Sequence, residues 1–171
     1  VLQAAASEAA GLGTQLAALL AERDPLPPTP GMPRPADIEV RLQVLSGQPP
    51  PGLDKGAIRR IRDTANQLCR RLGSTAPDRG DTSAGSLLAL AFPDRIAHAR
   101  DGHSGRYLLS NGRGAMLPRG DALTGTAFLV AAHLDAAHAD GRIFLAARIT
   151  LEEIRRALGA HIRHEERVTL D

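Results

Sequence analysis

The residue types that could bind phosphate are concentrated in one short segment of this sequence. Residues 55–71 contain six basic side chains against a single acidic one, Asp63, and so carry a net charge of +5, whereas the whole chain carries +2. At the helical period of about 3.6 residues, the face of this segment opposite its apolar stripe would hold Arg59, Asn66 and Arg70, with Lys55 on one flank and Gln67 and Arg71 on the other. Arginine offers a planar fork of donors that suits phosphate, and amide side chains can bond sugar hydroxyls or base edges. The pattern therefore fits a nucleic-acid contact, although the spacing equally allows a solvated charged face.

A second basic run lies further along the chain. Residues 95–119 contain five arginines against Asp101, which gives a net charge of +4. Among these arginines, Arg113 falls within the sequence NGRG and would occupy the exposed tip of a hairpin. An incidental arginine in a turn is the alternative that the sequence leaves open. Only four residues are phenylalanine or tyrosine, so a surface that stacks several bases is not expected.

Catalytic and metal-binding patterns are missing from the sequence. The fragment GQPPPG at residues 47–52 lacks the Lys and Ser or Thr of a phosphate loop, and its prolines have no N–H to offer. The six histidines form no HExxH motif, and no GxSxG is present. The lone Cys69 can neither form an internal disulfide nor make a multi-thiolate zinc site. We therefore predict no catalytic residues, no cofactor site and no metal site in this chain.

Composition favours a folded protein without membrane segments. Of the 171 residues, 43% are hydrophobic and 23% are charged, which is typical of globular domains. No apolar run approaches the roughly 18 residues that cross a bilayer, and the N-terminus lacks the features of a secretory signal. We expect a soluble, cytoplasmic protein with no membrane partner.

The first half of the chain has helical spacing. Four amphipathic segments are separated by loops rich in Pro and Gly. The apolar residues of the first three segments are, in order, Leu12, Leu16, Leu19 and Leu20; Ile38, Leu42 and Leu45; and Ile58, Ile61, Ala65, Leu68 and Leu72. The fourth segment spans residues 86–92. Asp37 and Asp54 are suitable N-caps, and Gly73 is suitable as the glycine that follows a helix.

The second half has the spacing of strands. GRYLLSNGRGAML predicts a hairpin around Asn111 and Gly112, a pair that tolerates positive φ. AFLVAAHLDAA and GRIFLAARI predict two strands joined near Asp140 and Gly141. In the second of them, the alternation places Ala146 with Arg142, Phe144 and Arg148, opposite a packed face of Ile143, Leu145, Ala147 and Ile149. LEEIRRAL predicts a helix and HIRHEERVTL a last polar strand. The fold class is thus α+β: a helical part, then a small antiparallel sheet with one helix, compatible with an OB-like barrel.

Four segments, in order, carry a resemblance to a known family: RDTANQLCRRLG, SLLALAFPDRIAHAR, GRYLLSNGRGAMLP and AFLVAAHLD. They resemble the region after the motor of bacterial HrpB-type ATP-dependent helicases, of the DEAH or RHA group. ERDPL at residues 22–26 is also similar, and the resemblance weakens in the Pro-rich loops and beyond about residue 150. The resemblance implies a helical ratchet-like bundle at residues 1–92 and an OB-like domain at residues 93–171.

The resemblance also implies a role for this chain within a larger helicase. The phosphate loop, the DEAH box and the arginine fingers of the motor are absent from the sequence, so we expect a non-catalytic fragment, with ATP and Mg bound only by motor domains of the parent polypeptide. The implied partners are single-stranded RNA or DNA and those motor domains.

The site hypothesis follows from this role. Lys55, Arg59 and Arg70, assisted by Asn66 and Gln67, would line one wall of a nucleic-acid channel, and Arg106 and Arg113 would add phosphate contacts. The alternative is a structural module that braces the motor without touching nucleic acid.

Overall fold

Four helices make up the first part of the computed structural model, which describes residues 10–47, 51–73, 82–101, 104–135 and 140–162. They are α1 (Ala10–Ala21), α2 (Ile38–Ser46), α3 (Lys55–Arg71) and α4 (Ala84–Ala91). The four predicted helices are confirmed. The fourth begins two residues earlier than its apolar pattern, because the hydroxyl of Ser83 accepts the N–H of Ser86 and caps it there.

The predicted helix caps are present. The carboxylate of Asp37 accepts the N–H of Glu39 at 3.0 Å and that of Asp54 accepts the N–H of Ala57 at 2.9 Å, each at a helix start. Gly73 follows the last turn of α3 with φ of 65°, a left-handed conformation that glycine adopts without a Cβ penalty. These caps fix where α2 and α3 begin and where α3 ends.

Helix α3 packs on α1 through apolar faces. Leu12, Leu16 and Leu19 of α1 are buried, as are Ile58 and Ile61 of α3. Leu20, predicted to share the buried face of α1, is instead 37% exposed. It lines an open groove and not the core between the helices.

Five strands form a closed barrel after residue 95. They are β1 (Ile96–Ala99), β2 (Arg106–Leu109), β3 (Gly114–Met116), β4 (Phe128–Leu134) and β5 (Asp140–Arg148). The strand order is β1-β2-β3-β5-β4, and β4 pairs with β1 to close the ring. The barrel is consistent with an OB-like fold. The sequence patterns did not predict β1 as a strand.

One pair of strands departs from the predicted antiparallel sheet. Strands β3 and β5 run parallel, with Ala115 opposite Gly141, while the other four pairs are antiparallel. A closed ring with an odd number of strands cannot alternate direction all the way round, so one parallel pair is unavoidable. A wholly antiparallel sheet was therefore the wrong prediction for this closed barrel.

Strand β5 does not keep a single packed face. Ile143 and Ala146 both lie in the barrel core, whereas Ala147 and Ile149 pack on the helical side. The predicted placement of Ala146 on the polar face is therefore wrong. The cause is a pair of register shifts between β4 and β5 around His133, which change the side to which the following residues point.

The predicted hairpin between β2 and β3 is confirmed, but its turn differs. Within this turn Gly112 alone has positive φ, at 84°, and among the described residues only glycines have positive φ. Asn111 instead accepts the N–H of Arg113 through its side-chain oxygen at 3.0 Å. The connection is thus longer than the tight two-residue turn that Asn-Gly favours.

The predicted helix after β5 is α5 (Leu151–Leu158), and a 3-10 turn follows it at Gly159–His161. The last polar strand predicted over HIRHEERVTL is wrong at His161, which lies in that turn. Residues 163–170 of this prediction lie outside the described residues.

The helices and the barrel pack against each other. One hydrophobic cluster fills the barrel and includes Tyr107 and Leu129. A second cluster joins Ile58 and Leu88 of the helices to Val130 on the outer side of the barrel. The division of the chain at residues 92 and 93 stays a prediction. No helix among the described residues is long and apolar enough to span a membrane.

Glu153 links α4 to α5 and provides a pH-dependent contact. Its carboxylate accepts the N–H of Thr150 at 2.7 Å and the hydroxyl of Ser83. Burial alone would raise the pKa of Glu153, but hydrogen bonds from Ser83, Thr150 and Ser86 outweigh it and lower the pKa.

We expect Glu153→Ala to lower the free energy of unfolding by about 1 kcal/mol at pH 7. A lowered folded pKa stabilises the fold above the ordinary glutamate pKa of about 4.3, and this contribution disappears as the pH falls through the lowered value. Urea unfolding of both proteins at pH 7 and pH 3 measures the effect. An equal difference at both pH values would contradict it.

Candidate nucleic-acid interface

The five α3 residues predicted to contact nucleic acid form one exposed surface, which we call the basic face: Lys55, Arg59, Asn66, Gln67 and Arg70. Among the described residues, only Arg59 of this set makes an ion pair, with Asp63 at 3.8 Å. Both partners are highly exposed, at 86% and 70%, and such surface pairs contribute little free energy. The donors of the basic face are therefore open to solvent and to a ligand.

The buried side of α3 determines where the basic face points. Ala57, Ile58, Ile61 and Ala65 pack into the helical core, so the opposite side of the helix must face outward. The N-terminus of α3 is fixed by Asp54, whose pKa is lowered mainly by the hydrogen bond from the N–H of Ala57. The capped and packed helix thus presents the cationic side chains in a row on its outer side.

Two further basic residues of α3 serve the fold itself. Arg60 lies 3.8 Å from the carboxylate of Glu22. Arg62 donates to the carbonyls of Leu45 at 3.0 Å and Gly47 at 2.7 Å, which satisfies acceptors at the end of α2. The net charge of the segment therefore overstates the charge available to a ligand.

The ERDPL segment is a junction between the helices, a role that its sequence pattern did not predict. Asp24 pairs with Arg41 at 2.8 Å, and Glu22 accepts the hydroxyl of Thr64 at 3.0 Å. The carbonyl of Pro25 accepts the N–H of Asp54 at 3.4 Å. Arg41 also escaped attention, although its position on the apolar stripe of α2 was a usable signal, because an arginine there must be buried with a partner.

The two remaining predicted residues lie on the barrel. Arg106, at the start of β2, is exposed and lies 4.0 Å from Asp140, and Arg113 is exposed in the hairpin turn. Arg106 lies in β2 and Arg113 in the turn that follows it, so neither belongs to the basic face. The structure thus brings together the five α3 residues and leaves Arg106 and Arg113 on the barrel.

The described residues offer no metal centre. None of their His, Cys, Asp and Glu side chains form a group of three that could hold a metal ion. The free thiol of Cys69 is half-buried, 3.2 Å from the hydroxyl of Thr14. His103, His138 and His164 lie outside the described residues.

Comparison with known proteins identifies relatives of this chain. No protein-family model matches it. It is 41% identical over 92 residues to the ATP-dependent RNA helicase HrpB of Escherichia coli (strain K12), a match that covers 53% of this chain and 11% of that protein. The crystal structure of the E. coli DExH-box NTPase HrpB aligns over 93% of this chain and 18% of its own, with a TM-score of 0.68 and 33% identity.

A second crystal structure, that of the Escherichia coli DEAH/RHA helicase HrpB, aligns over 81% of this chain and 15% of its own, with a TM-score of 0.60 and 29% identity. The resemblance to HrpB-type helicases is confirmed. The chain spans less than a fifth of the length of each of these relatives.

Proposed function

We propose that this chain, which is homologous to part of an ATP-dependent RNA helicase, is a non-catalytic accessory region that helps such a helicase hold and guide single-stranded nucleic acid. The observation that supports this most strongly is the basic face. Its cationic and amide side chains are exposed on a helix whose opposite side is buried. Residues 1–92 would serve as the ratchet-like bundle and residues 93–171 as the OB-like domain.

The basic face suits contact with a nucleic-acid backbone. At about 1.5 Å per residue, Arg59 and Arg70 lie about 16 Å apart along α3, so the row can reach several successive phosphates. Lys55 precedes Arg59 by about one turn and extends the same row. Because phosphate contacts carry no sequence information, the strand would be held without sequence preference. Arg106 and Arg113 would contact phosphates elsewhere along the strand.

The chemistry of the helicase would belong to the parent's motor domains. The sequence contains no phosphate loop, and no cluster of His, Cys, Asp and Glu side chains among the described residues could bind a metal ion. We therefore place the ATP and Mg sites in those domains. An ATPase assay on this chain should therefore give background rates, and measurable turnover would contradict the non-catalytic role.

A binding titration tests the basic face. A labelled single-stranded RNA should bind this chain with a dissociation constant of about 10⁻⁴ to 10⁻⁶ M at physiological salt. Combining Arg59→Ala with Arg70→Ala removes two phosphate contacts. We expect about tenfold weaker binding at low salt. The slope of the logarithm of the binding constant against the logarithm of the salt concentration should also be less steep by about 1.4, since each single-strand phosphate contact contributes about 0.7 to it.

The matched control combines Arg155→Ala with Arg156→Ala on α5. Arg156, like Arg59, pairs with a carboxylate one turn away, here Glu152 at 3.0 Å, and Arg155 is exposed. Both double variants therefore remove the same charge. Equal loss of binding in the two would show a general charge effect and would reject the basic face.

The bracing alternative also has an observation in its favour, because Arg60 and Arg62 already form contacts within the fold. It predicts binding to the motor domains without salt-sensitive RNA affinity. Absence of RNA binding even at low salt would therefore favour bracing over guiding.

A further inference from the structure

A groove lies between the helices and the outer side of the barrel, and no residue of the basic face lines it. Its volume is about 680 Å³, within the range of sites that hold small ligands. We call it the aromatic groove, because Phe92, His133 and Phe144 line it. Two arginines line it as well: Arg142 of β5, and Arg34 in the loop between α1 and α2.

A local irregularity of the barrel directs Phe144 into this groove. The pairing runs from His133 opposite Leu145 to Leu134 opposite Ile143, so Phe144 is an extra residue without a partner on β4. Phe144 is 38% exposed, which is unusual for the side chain of a large aromatic residue. Bulges of this kind redirect side chains and are common beside binding sites.

Aromatic and cationic groups are clustered around Phe144. The ring centroids of His133 and Phe144 are 5.2 Å apart with the ring planes tilted by 47°, and the guanidinium carbon of Arg142 lies 5.5 Å from the Phe144 centroid. On Phe92, also at the groove, the guanidinium carbon of Arg95 lies 4.6 Å from the ring centroid. Half of the four Phe and Tyr residues of the chain thus line this one groove.

The charges at the groove favour an anion. Its carboxylates, Glu22 and Asp24, are engaged by Arg60 and Arg41. The exposed side chains of Arg34 and Arg142 make no ion pair with any described residue. The groove therefore combines an exposed aromatic ring with two available cations, the features that base stacking and phosphate contact use.

We propose that the aromatic groove binds one nucleotide unit of a single strand. Its base stacks on the exposed ring of Phe144, beside His133, and Arg142 and Arg34 contact the adjoining phosphates. Aromatic side chains accept any base because every base has a π face. This inference rests on the proposed function, and it adds a base-stacking contact to the phosphate contacts of the basic face.

An abasic strand separates stacking from phosphate contact. This chain should bind a labelled single-stranded oligonucleotide at least fivefold more tightly than an abasic strand of the same length, because stacking is lost with the bases. Phe144→Leu should remove most of this difference and Phe144→Tyr should keep it. Leu151→Ala, which shortens an apolar side chain of similar exposure (43%) on α5, should leave it unchanged.

Two results would overturn the inference. The first is a preference for the base-bearing strand that survives Phe144→Leu. The second is competition by uridine monophosphate at the same concentration as the oligonucleotide, which would make the ligand a free nucleotide and not a strand. If Arg59→Ala with Arg70→Ala still weakens binding to both strands, the proposed function stands while the groove assignment fails. Circular dichroism confirms that each variant is folded.

Discussion

Arg41→Ala is expected to lower the free energy of unfolding by about 3 kcal/mol or more. The side chain of Arg41 is 2% exposed and pairs with Asp24 at 2.8 Å. It also donates to the carbonyls of Pro35 and Asp37. Truncation removes the partner of a partly buried carboxylate and leaves two carbonyls without their donor, and each unsatisfied group carries a desolvation penalty.

Urea unfolding followed by far-ultraviolet circular dichroism measures this effect. Arg155→Ala, which removes an exposed arginine of α5, should change the free energy of unfolding by less than about 0.5 kcal/mol. Asp24→Asn keeps an acceptor for the guanidinium and should cost less than Arg41→Ala. A loss below about 1 kcal/mol for Arg41→Ala would show that solvent reaches the site and satisfies these groups.

Local signals predicted most of the helical part. The caps at Asp37 and Asp54 and the glycine at position 73 act within a few residues of themselves, so the sequence contains nearly all the information that sets these boundaries. The hairpin at Asn111 is local in the same sense. The turn conformation was less predictable, because the Asn111 side chain bonds to the backbone and so allows a longer connection.

Features that depend on distant strands were not predicted. Strand β1 has only four residues, and it is a strand because β2 and β4 pair on either side of it. The burial of Ala146 follows from a register shift against β4. The parallel pairing of β3 and β5 follows from barrel closure. None of these features leaves a periodic signal in its own segment.

The candidate site shows the same division. Helical periodicity predicted which α3 residues are exposed, and the structure places all five on one surface. Periodicity could not show that Arg60 and Arg62 make contacts within the fold, since their partners, Glu22 and the end of α2, are distant in sequence. The scarcity of aromatic residues argued against base stacking, but scarcity says nothing about whether the few that exist lie together.

Gly85→Ala is expected to lower the free energy of unfolding by about 2 kcal/mol, by disturbing the contact between α4 and β5. A Cβ at Gly85 would lie 2.2 Å from the backbone carbonyl oxygen of Arg148 and 3.0 Å from the Cβ of Ile149. Backbone atoms cannot rotate away, so α4 must move off the barrel, and overpacking of this kind costs about 1–3 kcal/mol. Alanine gains about 1 kcal/mol in helix propensity, which offsets only part of that cost.

Gly159→Ala provides the matched control for this contact. Its φ is −51°, and a Cβ there would meet nothing within 4 Å, so the substitution should be neutral or stabilise by up to about 1 kcal/mol. The two variants make the same chemical change and differ only in what surrounds it.

Because α4 packs on the strands whose outer side lines the aromatic groove, Gly85→Ala should also reduce the preference for a base-bearing over an abasic strand. Wild-type stability in Gly85→Ala would mean that the helices and the barrel tolerate a looser contact than the structure shows.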